Sequence, residues 1–384
     1  MTTMSLLNYI IWNGSPEIFT IGWITLRWYG LLFALGFLIS QQILYYMHKQ
    51  EGKPERDVET LTIYMVVSTI IGARLGHIIF YEPDMIWNDP LSIFLPFKFS
   101  PEFQFTGLMG LASHGAAVGI LFGLWLYSRK NKPGQNYLQV LDRIVILVTL
   151  TGALIRFGNY FNSEILGKPT NSPTGVVFVS RVTEAIKGDK NDTNNRIESV
   201  TVHQVPDAPI SGDGRVPIKL FIFFKPGIDE STAGIYVQTE LRNVLAYLSR
   251  PGSDPAIVDQ SAMDPIQFQT ITDPDTKQVM ARVVTTGIVR HPAQLYESIS
   301  CVILFVFLFS IWMRYKINLP EGRIFGFFMI ILWSLRFAYE YLKENQVPFE
   351  DKLPLNMGQI LSIPLVIVGI FILIRSYHQQ QENS

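Results

Sequence analysis

Arginines, histidines and carboxylates recur inside stretches of this chain that are otherwise apolar enough for lipid. Arg74 with His77, then His114, then Asp142, Arg143, Arg156 and Asn159, then Glu297, then Arg336 with Glu340 each interrupt such a stretch, and Arg27 and Tyr29 stand at the edge of the first. An ionisable residue deep in a membrane segment costs about 2.5–3.5 kcal/mol on insertion scales, so those that persist usually face a bundle interior and mark a site. Two or more arginines at low dielectric suit a phosphate, held through bidentate, charge-assisted hydrogen bonds. A neighbouring neutral histidine can take a proton near pH 7. No cysteine or serine in these stretches is paired with a base, which argues against a covalent enzyme intermediate. The simplest chemistry is direct displacement, in which a locally deprotonated nucleophile attacks a carbon bearing a phosphate leaving group, with a phospholipid as the phosphate source.

Some of these charges have plainer readings. Asp142 and Arg143 lie near one end of their segment, where a structural ion pair suffices. Arg27 can serve as an interfacial anchor. Arg336 and Glu340 share a helix face at i, i+4 and can neutralise each other.

The elements that must position these groups are membrane helices. The chain has 384 residues, 48% hydrophobic and only 16% charged, against about a quarter charged in soluble domains. Seven stretches, 21–46, 58–81, 107–128, 138–159, 293–313, 323–342 and 356–376, approach the roughly 20 apolar residues a spanning helix needs. With the N-terminus outside, the inner ends and loops carry Lys49, Lys53, Arg56, Arg129, Lys130, Lys132, Arg314, Lys316, Arg323 and Arg375, and the outer loops Lys98, Lys343 and Lys352. Ten basic residues against three set an N-out, C-in orientation. It gathers Tyr29, His114, Arg156, Asn159, Glu164 and Arg336 in the outer half of the bundle. The third stretch is rich in glycine and alanine, which lets helices, or a ligand, approach closely. Pro364 predicts a kink in the last helix.

The expected architecture is therefore an all-α polytopic membrane bundle with an inserted extracytoplasmic α+β domain. Residues 1–167 form the first membrane part, 168–287 the insert and 288–384 the second membrane part. Within the insert, Val216–Phe224, Gly234–Thr239 and Gln278–Thr285 alternate like strands, and the run Tyr236–Leu248 is amphipathic like a helix. His203 reads as a surface histidine. The stretch 86–97 is too short to span and is expected along the outer interface.

Net charge is −1 and no basic cluster interleaves with aromatics, so nucleic acid is not an expected partner. The lone Cys301 excludes an intramolecular disulfide and a multi-cysteine metal site, and no metal or cofactor is expected. The N-terminal stretch lacks a basic n-region, so no cleaved signal peptide is expected.

The stretch Arg156–Gly167, RFGNYFNSEILG, resembles the signature of the prolipoprotein diacylglyceryl transferases. Further blocks of that family follow in order: Trp28-Tyr29-Gly30, GARLGHIIFY at 72–81, SHGA at 113–116, RHPAQLYE at 290–297, RFAYE at 336–340 and MGQILSIP at 357–364. The resemblance covers about 20–170 and 288–376. It implies an enzyme of the bacterial cytoplasmic (inner) membrane that moves the sn-1,2-diacylglyceryl group of phosphatidylglycerol to the lipobox cysteine of a prolipoprotein signal peptide, forming a thioether and releasing glycerol phosphate. Its partners would be that lipid, that peptide and the surrounding membrane lipids. Carried over by motif, Arg156 and Arg336 bind the head group and stabilise the departing phosphate, and His114 is the candidate base for the thiol. Asn159, Asn162 and Glu164 line the pocket and orient the arginines, while Tyr29 contacts the head group. Arg74, in the GARLGH block, belongs with the substrate-binding set. Gly167 allows a sharp exit into the insert, Glu340 orients Arg336, and Gln294, Tyr296 and Glu297 support their helix.

Three departures stand out. Ala116 replaces the second glycine of the family's His-Gly-Gly. Leu332 stands where the family often has tyrosine, and the insert is unusually large. Two other classes compete with the enzyme: a transporter of an anionic lipid, against which the absence of matching repeats counts, and an inactive membrane scaffold.

Overall fold

The computed structural model describes residues 9–22, 24–88, 97–98, 104–105, 112–188, 195–249, 266–343 and 354–382. In chain order the strands are β1 (Ile10–Trp12), β2 (Glu17–Ile21), β3 (Ile24–Arg27), β4 (Phe97–Lys98), β5 (Gln104–Phe105), β6 (Val176–Phe178), β7 (Ile197–Gln204), β8 (Arg215–Phe224), β9 (Phe268–Thr272) and β10 (Val279–Ile288). The helices are α1 (Trp28–Gln50), α2 (Arg56–Tyr81), α3 (Met85–Asn88), α4 (Ser113–Ser128), α5 (Tyr137–Phe161), α6 (Ser180–Lys187), α7 (Glu230–Tyr236), α8 (Arg242–Leu248), α9 (Ala293–Tyr315), α10 (Arg323–Glu340) and α11 (Met357–Glu382). Among the described residues, five helices are long and apolar enough to cross a membrane: α1, α2, α5, α9 with the turn after it, and α11. Helix α4 is shorter, at 16 residues, and residues 107–111 of the stretch expected to span there lie outside the described residues. Helix α10 has 18 residues and carries Arg323, Arg336 and Glu340. Helix α11 runs through Pro364.

The first spanning helix begins at Trp28 and not at 21, because Glu17–Ile21 and Ile24–Arg27 pair as an antiparallel hairpin turned at Gly22, φ 60°. Arg27 ends that hairpin with an exposed ion pair to Glu17 at 3.5 Å. Of the stretch expected at the interface, residues 86–88 end α3, Phe97 lies in β4 and 89–96 fall outside the described residues.

The chain divides into two compact units. The first comprises residues 1–33, 153–300 and 336–360, and the second 34–152, 301–335 and 361–384.

In the first unit an antiparallel sheet runs in the order β7-β8-β10-β9. Strand β8 shows why the sequence folds so: Val216, Ile218, Leu220, Ile222 and Phe224 alternate onto one face and are almost wholly buried. Each contributes roughly 1.5–3 kcal/mol relative to exposure. Pro217 is tolerated in this inner strand because β7 pairs only as far as Ile218, and the Pro217 carbonyl accepts the Tyr9 hydroxyl at 3.2 Å. Strand β10 places Ala281 and Val283 on the same face. Contrary to the alternation read at Gly234–Thr239, that segment is helical: α7 passes through a π turn at Val237–Leu241 into α8. Ala233, Val237, Leu241 and Leu245 keep the three-to-four spacing of a helix against the sheet core. His203 lies on β7, exposed, 3.3 Å from Thr201. Strands β1 and β6 pair in parallel.

In the second unit α2 and α4 pack backbone to backbone. The Ala112 amide donates to the Ala73 carbonyl at 2.9 Å. A methyl on Gly76 would lie 2.7 Å from the Gly115 Cα, and one on Gly72 2.7 Å from the Gly119 Cα. Gly115→Val is therefore expected to force the two helices apart, at about 1–3 kcal/mol or more, and to lower the melting temperature in detergent. Gly30→Ala, with nothing within 4 Å of the added methyl, serves as the neutral comparison.

Asp142 and Arg143 hold this unit together by separate means. The Asp142 carboxylate accepts the Gly322 amide at 2.7 Å and the Phe325 amide at 2.8 Å, satisfying the start of α10. Arg143 donates to Glu51 from Nε at 3.1 Å and Nη2 at 2.9 Å. They are structural groups, and not partners of each other.

Candidate active site

The end of α5, the first turns of α9 and the end of α10 with the turn after it carry one connected group of charged residues in the first unit. Arg156 Nε meets Glu297 Oε2 at 2.6 Å. The other oxygen of Glu297 takes the ammonium of Lys343, which also lies 3.9 Å from Glu340 Oε1. Glu340 in turn faces Arg336 Nη2 at 3.6 Å and accepts Asn356 Nδ2 at 3.2 Å. Arg156 and Arg336 thus belong to one chain of ionic contacts, in which three cations meet two carboxylates among the described residues.

The cluster is asymmetric in a way that suits an anion. Glu297 and Lys343 are buried, 8% and 5% exposed, whereas the Arg156 side chain keeps 26% exposure. Arg156 is pinned through Nε alone, which leaves both terminal nitrogens of its planar fork unengaged by described residues. Arg336 is held loosely by its ion pair at i, i+4. A guanidinium with a free fork is the geometry that grips a phosphate through two parallel hydrogen bonds.

Sequence reasoning placed Lys343 among the outer loop charges and missed its role. The signal was there in its position three residues after Glu340, one helical turn away. Removing it leaves the buried Glu297 with Arg156 alone and the half-buried Glu340 with Arg336 and Asn356, so Lys343→Met is expected to destabilise the protein by about 1–3 kcal/mol. Earlier unfolding in detergent, partly restored by adding Glu297→Gln, is the expected readout. Asn356 was likewise missed. The tight approach of its turn is possible because Gly358 has no side chain, since a methyl there would lie 2.6 Å from the Glu340 Cδ.

The signature segment forms a second group. Glu164 accepts Asn159 Nδ2 and Asn162 Nδ2, each at 3.3 Å, and the Glu164 carbonyl accepts the Gln294 side-chain amide. Gly167 makes a close backbone approach. Its amide donates to the His291 carbonyl at 3.0 Å, its backbone bridges to Lys343, and a methyl on it would meet the His291 Cβ at 2.6 Å. Arg290, buried, donates to the Gly167 carbonyl at 3.1 Å. Burial pushes the His291 imidazole below its ordinary value, and its Nδ1 lies 3.4 Å from the Tyr296 hydroxyl. Tyr29 packs against α5 at Gly158, where an added methyl would sit 3.0 Å from the Tyr29 Cα. Tyr339 donates to the Tyr296 carbonyl at 3.3 Å and meets Ser300, tying α10 to α9.

His114 and Arg74 belong to the second unit. His114 is exposed in the first turn of α4, beside the Gly115 contact with α2. It lines one end of an apolar groove of about 830 Å³ between α2 and α4. Arg74 is buried on α2 and reaches Met85 at 3.6 Å. His77 Nε2 lies 3.7 Å from Glu82 Oε1. Leu332 packs into the apolar core of this unit, so that position contributes no polar group.

The whole chain has close relatives in sequence. A phosphatidylglycerol–prolipoprotein diacylglyceryl transferase of Bacteroides fragilis is 31% identical over 369 residues, covering 96% of this chain and 95% of its own. Proteins of the same name from Chloroherpeton thalassium and Porphyromonas gingivalis are each 30% identical, covering 98% and 97% of this chain and 98% and 96% of their own. The family model described as prolipoprotein diacylglyceryl transferase matches residues 16–375. That match spans the ionic cluster and the signature segment alike, and the chain belongs to the prolipoprotein diacylglyceryl transferase family.

Proposed function

We propose that this protein transfers the diacylglyceryl group of phosphatidylglycerol to the thiol of a prolipoprotein cysteine. The observation that carries the reading is the Arg156 fork, fixed through Nε by Glu297, with no described residue hydrogen-bonded to its two terminal nitrogens. It offers paired donors to a phosphodiester, and Arg336 adds a second cation on the same ionic chain. As the thiolate sulfur bonds to the glycerol carbon, the bond from that carbon to the phosphate oxygen breaks. The bonding pair leaves with glycerol phosphate, where charge grows in the transition state. Donors already aimed at that oxygen lower the barrier without reorganising.

His114 is the proposed base for the thiol, whose ordinary pKa of about 8.5 leaves it mostly protonated at neutral pH. Arg74, Tyr29, Gln294 and Tyr296 complete the proposed substrate-binding set. We further propose seven spanning helices, N-out and C-in, in the cytoplasmic membrane of a bacterium, with the β7–β10 sheet outside the cytoplasm and the lipobox of a signal peptide as acceptor sequence.

Purified protein, phosphatidylglycerol and a lipobox peptide should give a peptide whose mass has risen by one diacylglyceryl group. No adduct sinks the assignment. For His114 the measurement is the pH–rate profile: His114→Gln is expected to lose most of the rate at neutral pH, and a variant with full activity removes it as the base.

A further inference from the structure

The antiparallel sheet of the first unit has a second face, away from the core that α6, α7 and α8 complete. A sheet covered on one side ordinarily turns polar residues to the other. This one does so only in part. The register of β8 against β10 sets Lys219 opposite Val284, Phe221 opposite Arg282 and Phe223 opposite Met280. All six alternate along their strands with buried residues and are themselves half-buried or exposed. Each of these three rungs offers apolar surface to the outside, and two of them add a cation.

The two cations are uncompensated. Among the described residues neither Lys219 nor Arg282 meets a carboxylate, and Arg282 donates instead to Gln269 at 2.7 Å. The carboxylates at the ends of the neighbouring strands are engaged elsewhere, Asp213 with Arg215 at 2.8 Å and Glu198 with Gln278. His203, opposite Lys219 on β7, packs edge-on against Phe221 with ring centroids 5.1 Å apart, and brings no negative charge. The face therefore suits a partner that is apolar and acidic by turns, since complementary charge favours encounter and register.

The course of the strands indicates where such a partner comes from. Strand β10 ends at Ile288, and the chain runs on through Val289 and Arg290 to His291, whose carbonyl accepts the Gly167 amide at 3.0 Å. The Gly167 backbone bridges to Lys343, a member of the ionic chain that holds Arg156. At about 3.3 Å per residue, the Lys219 and Arg282 rungs lie roughly 23 and 30 Å from His291 along the strand. About seven to nine residues of extended polypeptide cover the same span. A lipid surface fits less well, because proteins that lie on lipid push an apolar face into it, whereas these side chains stand in a sheet among cations.

We infer that this face receives the stretch of the acceptor polypeptide that follows its cysteine, and favours acceptors with carboxylates in that stretch. This rests on the transfer reaction and the orientation proposed above, which put the sheet and that stretch on the same side of the membrane. The signal peptide then supplies the cysteine, and the sheet reads what comes after it.

The experiment presents the full-length protein and phosphatidylglycerol with lipobox peptides extended by about ten residues, carrying glutamate, glutamine or lysine at about the seventh and ninth positions after the cysteine. A further peptide ends directly after the cysteine. Transfer is followed by peptide mass, and binding by fluorescence anisotropy. Wild-type protein is expected to show KM and Kd about fivefold lower for the glutamate peptide than for the glutamine peptide, the scale of two exposed ion pairs, with kcat unchanged. The lysine peptide is expected to bind more weakly than both. About 0.5 M salt should erase the differences, because exposed charges are screened. In the double variant Lys219→Gln with Arg282→Gln the three extended peptides are expected to converge, while the peptide ending at the cysteine reacts as with wild type. A merely structural loss would slow that short peptide too. Equal KM and Kd for the glutamate and glutamine peptides in wild-type protein overturn the inference, as does a preference that survives in the double variant. If the double variant instead loses binding to vesicles containing phosphatidylglycerol and keeps the peptide preference, the face belongs to the membrane surface and the inference falls. No adduct from any peptide overturns the transfer reaction, and the anisotropy contrast, which needs no turnover, then decides the surface separately.

Discussion

Arg156→Ala is expected to lower kcat/KM for diacylglyceryl transfer by about a thousandfold, the scale of losing one preorganised donor at a developing oxyanion. Arg156 meets Glu297 at 2.6 Å through Nε, so the substitution removes the fork and also frees one oxygen of a buried carboxylate. Lys343 still holds the other oxygen of Glu297, which keeps the fold from collapsing with the activity. The loss should therefore appear in kcat more than in melting temperature. Arg156→Lys separates the charge from its shape. An ammonium restores the charge but not the planar pair of donors, and about a hundredfold loss is expected to remain. If Arg156→Lys is as active as wild type, the phosphate is not held by a bidentate fork. An Arg156→Ala protein with wild-type kinetics removes the arginine from the reaction altogether.

The largest effect on stability is expected in the second unit, at Glu51. Its side chain is 1% exposed and receives Arg143 at 2.9 Å, Lys53 at 2.6 Å and the Trp312 indole nitrogen at 2.6 Å. Glu51→Ala strands two buried cations and a buried indole N–H, so a loss of about 3–5 kcal/mol is expected. Thermal unfolding in detergent is the measurement, and a change within error of wild type would show that water replaces the carboxylate at no cost. The pH dependence follows from the same contacts. Burial alone would raise the Glu51 pKa, but Arg143 and Lys53 outweigh it and hold the group below its ordinary value. A carboxylate with a depressed pKa contributes stability fully above its unfolded value of about 4.3 and loses it as pH falls through the folded value. Wild-type protein should therefore lose stability below about pH 4 more steeply than Glu51→Gln does.

Much of the site was legible as residue types in sequence order. Arg156, Glu297, Arg336 and Glu340 stood out because charge inside apolar stretches is costly, whatever the surrounding fold. The alternation of Val216 to Phe224 specified a strand with one buried face, since that period belongs to the backbone itself. The run from Gly234 to Thr239 misled because a six-residue alternation also fits a helix packed along one stripe, and only burial of Ala233, Val237 and Leu241 decides between them. The hairpin before α1 was hidden for a similar reason: its mostly apolar residues run up to Arg27, immediately before the helix.

Residue pairing was not legible. The i, i+4 spacing of Arg336 and Glu340 suggested a closed pair, yet Glu340 also turns to Lys343 and Asn356, and Glu297 joins Arg156 to the same lysine. Those partners lie on separate elements, brought together when the segment through Gly167 crosses beside His291 and Lys343. Asp142 and Arg143, adjacent in the chain, face different partners because successive residues on a helix point in different directions. The charges inside apolar stretches were thus determined by the sequence alone, because their cost is local. Which carboxylate restrains which cation, and therefore which arginine keeps its fork free, was decided only by tertiary structure, because a salt bridge depends on distances across the fold that no local pattern encodes.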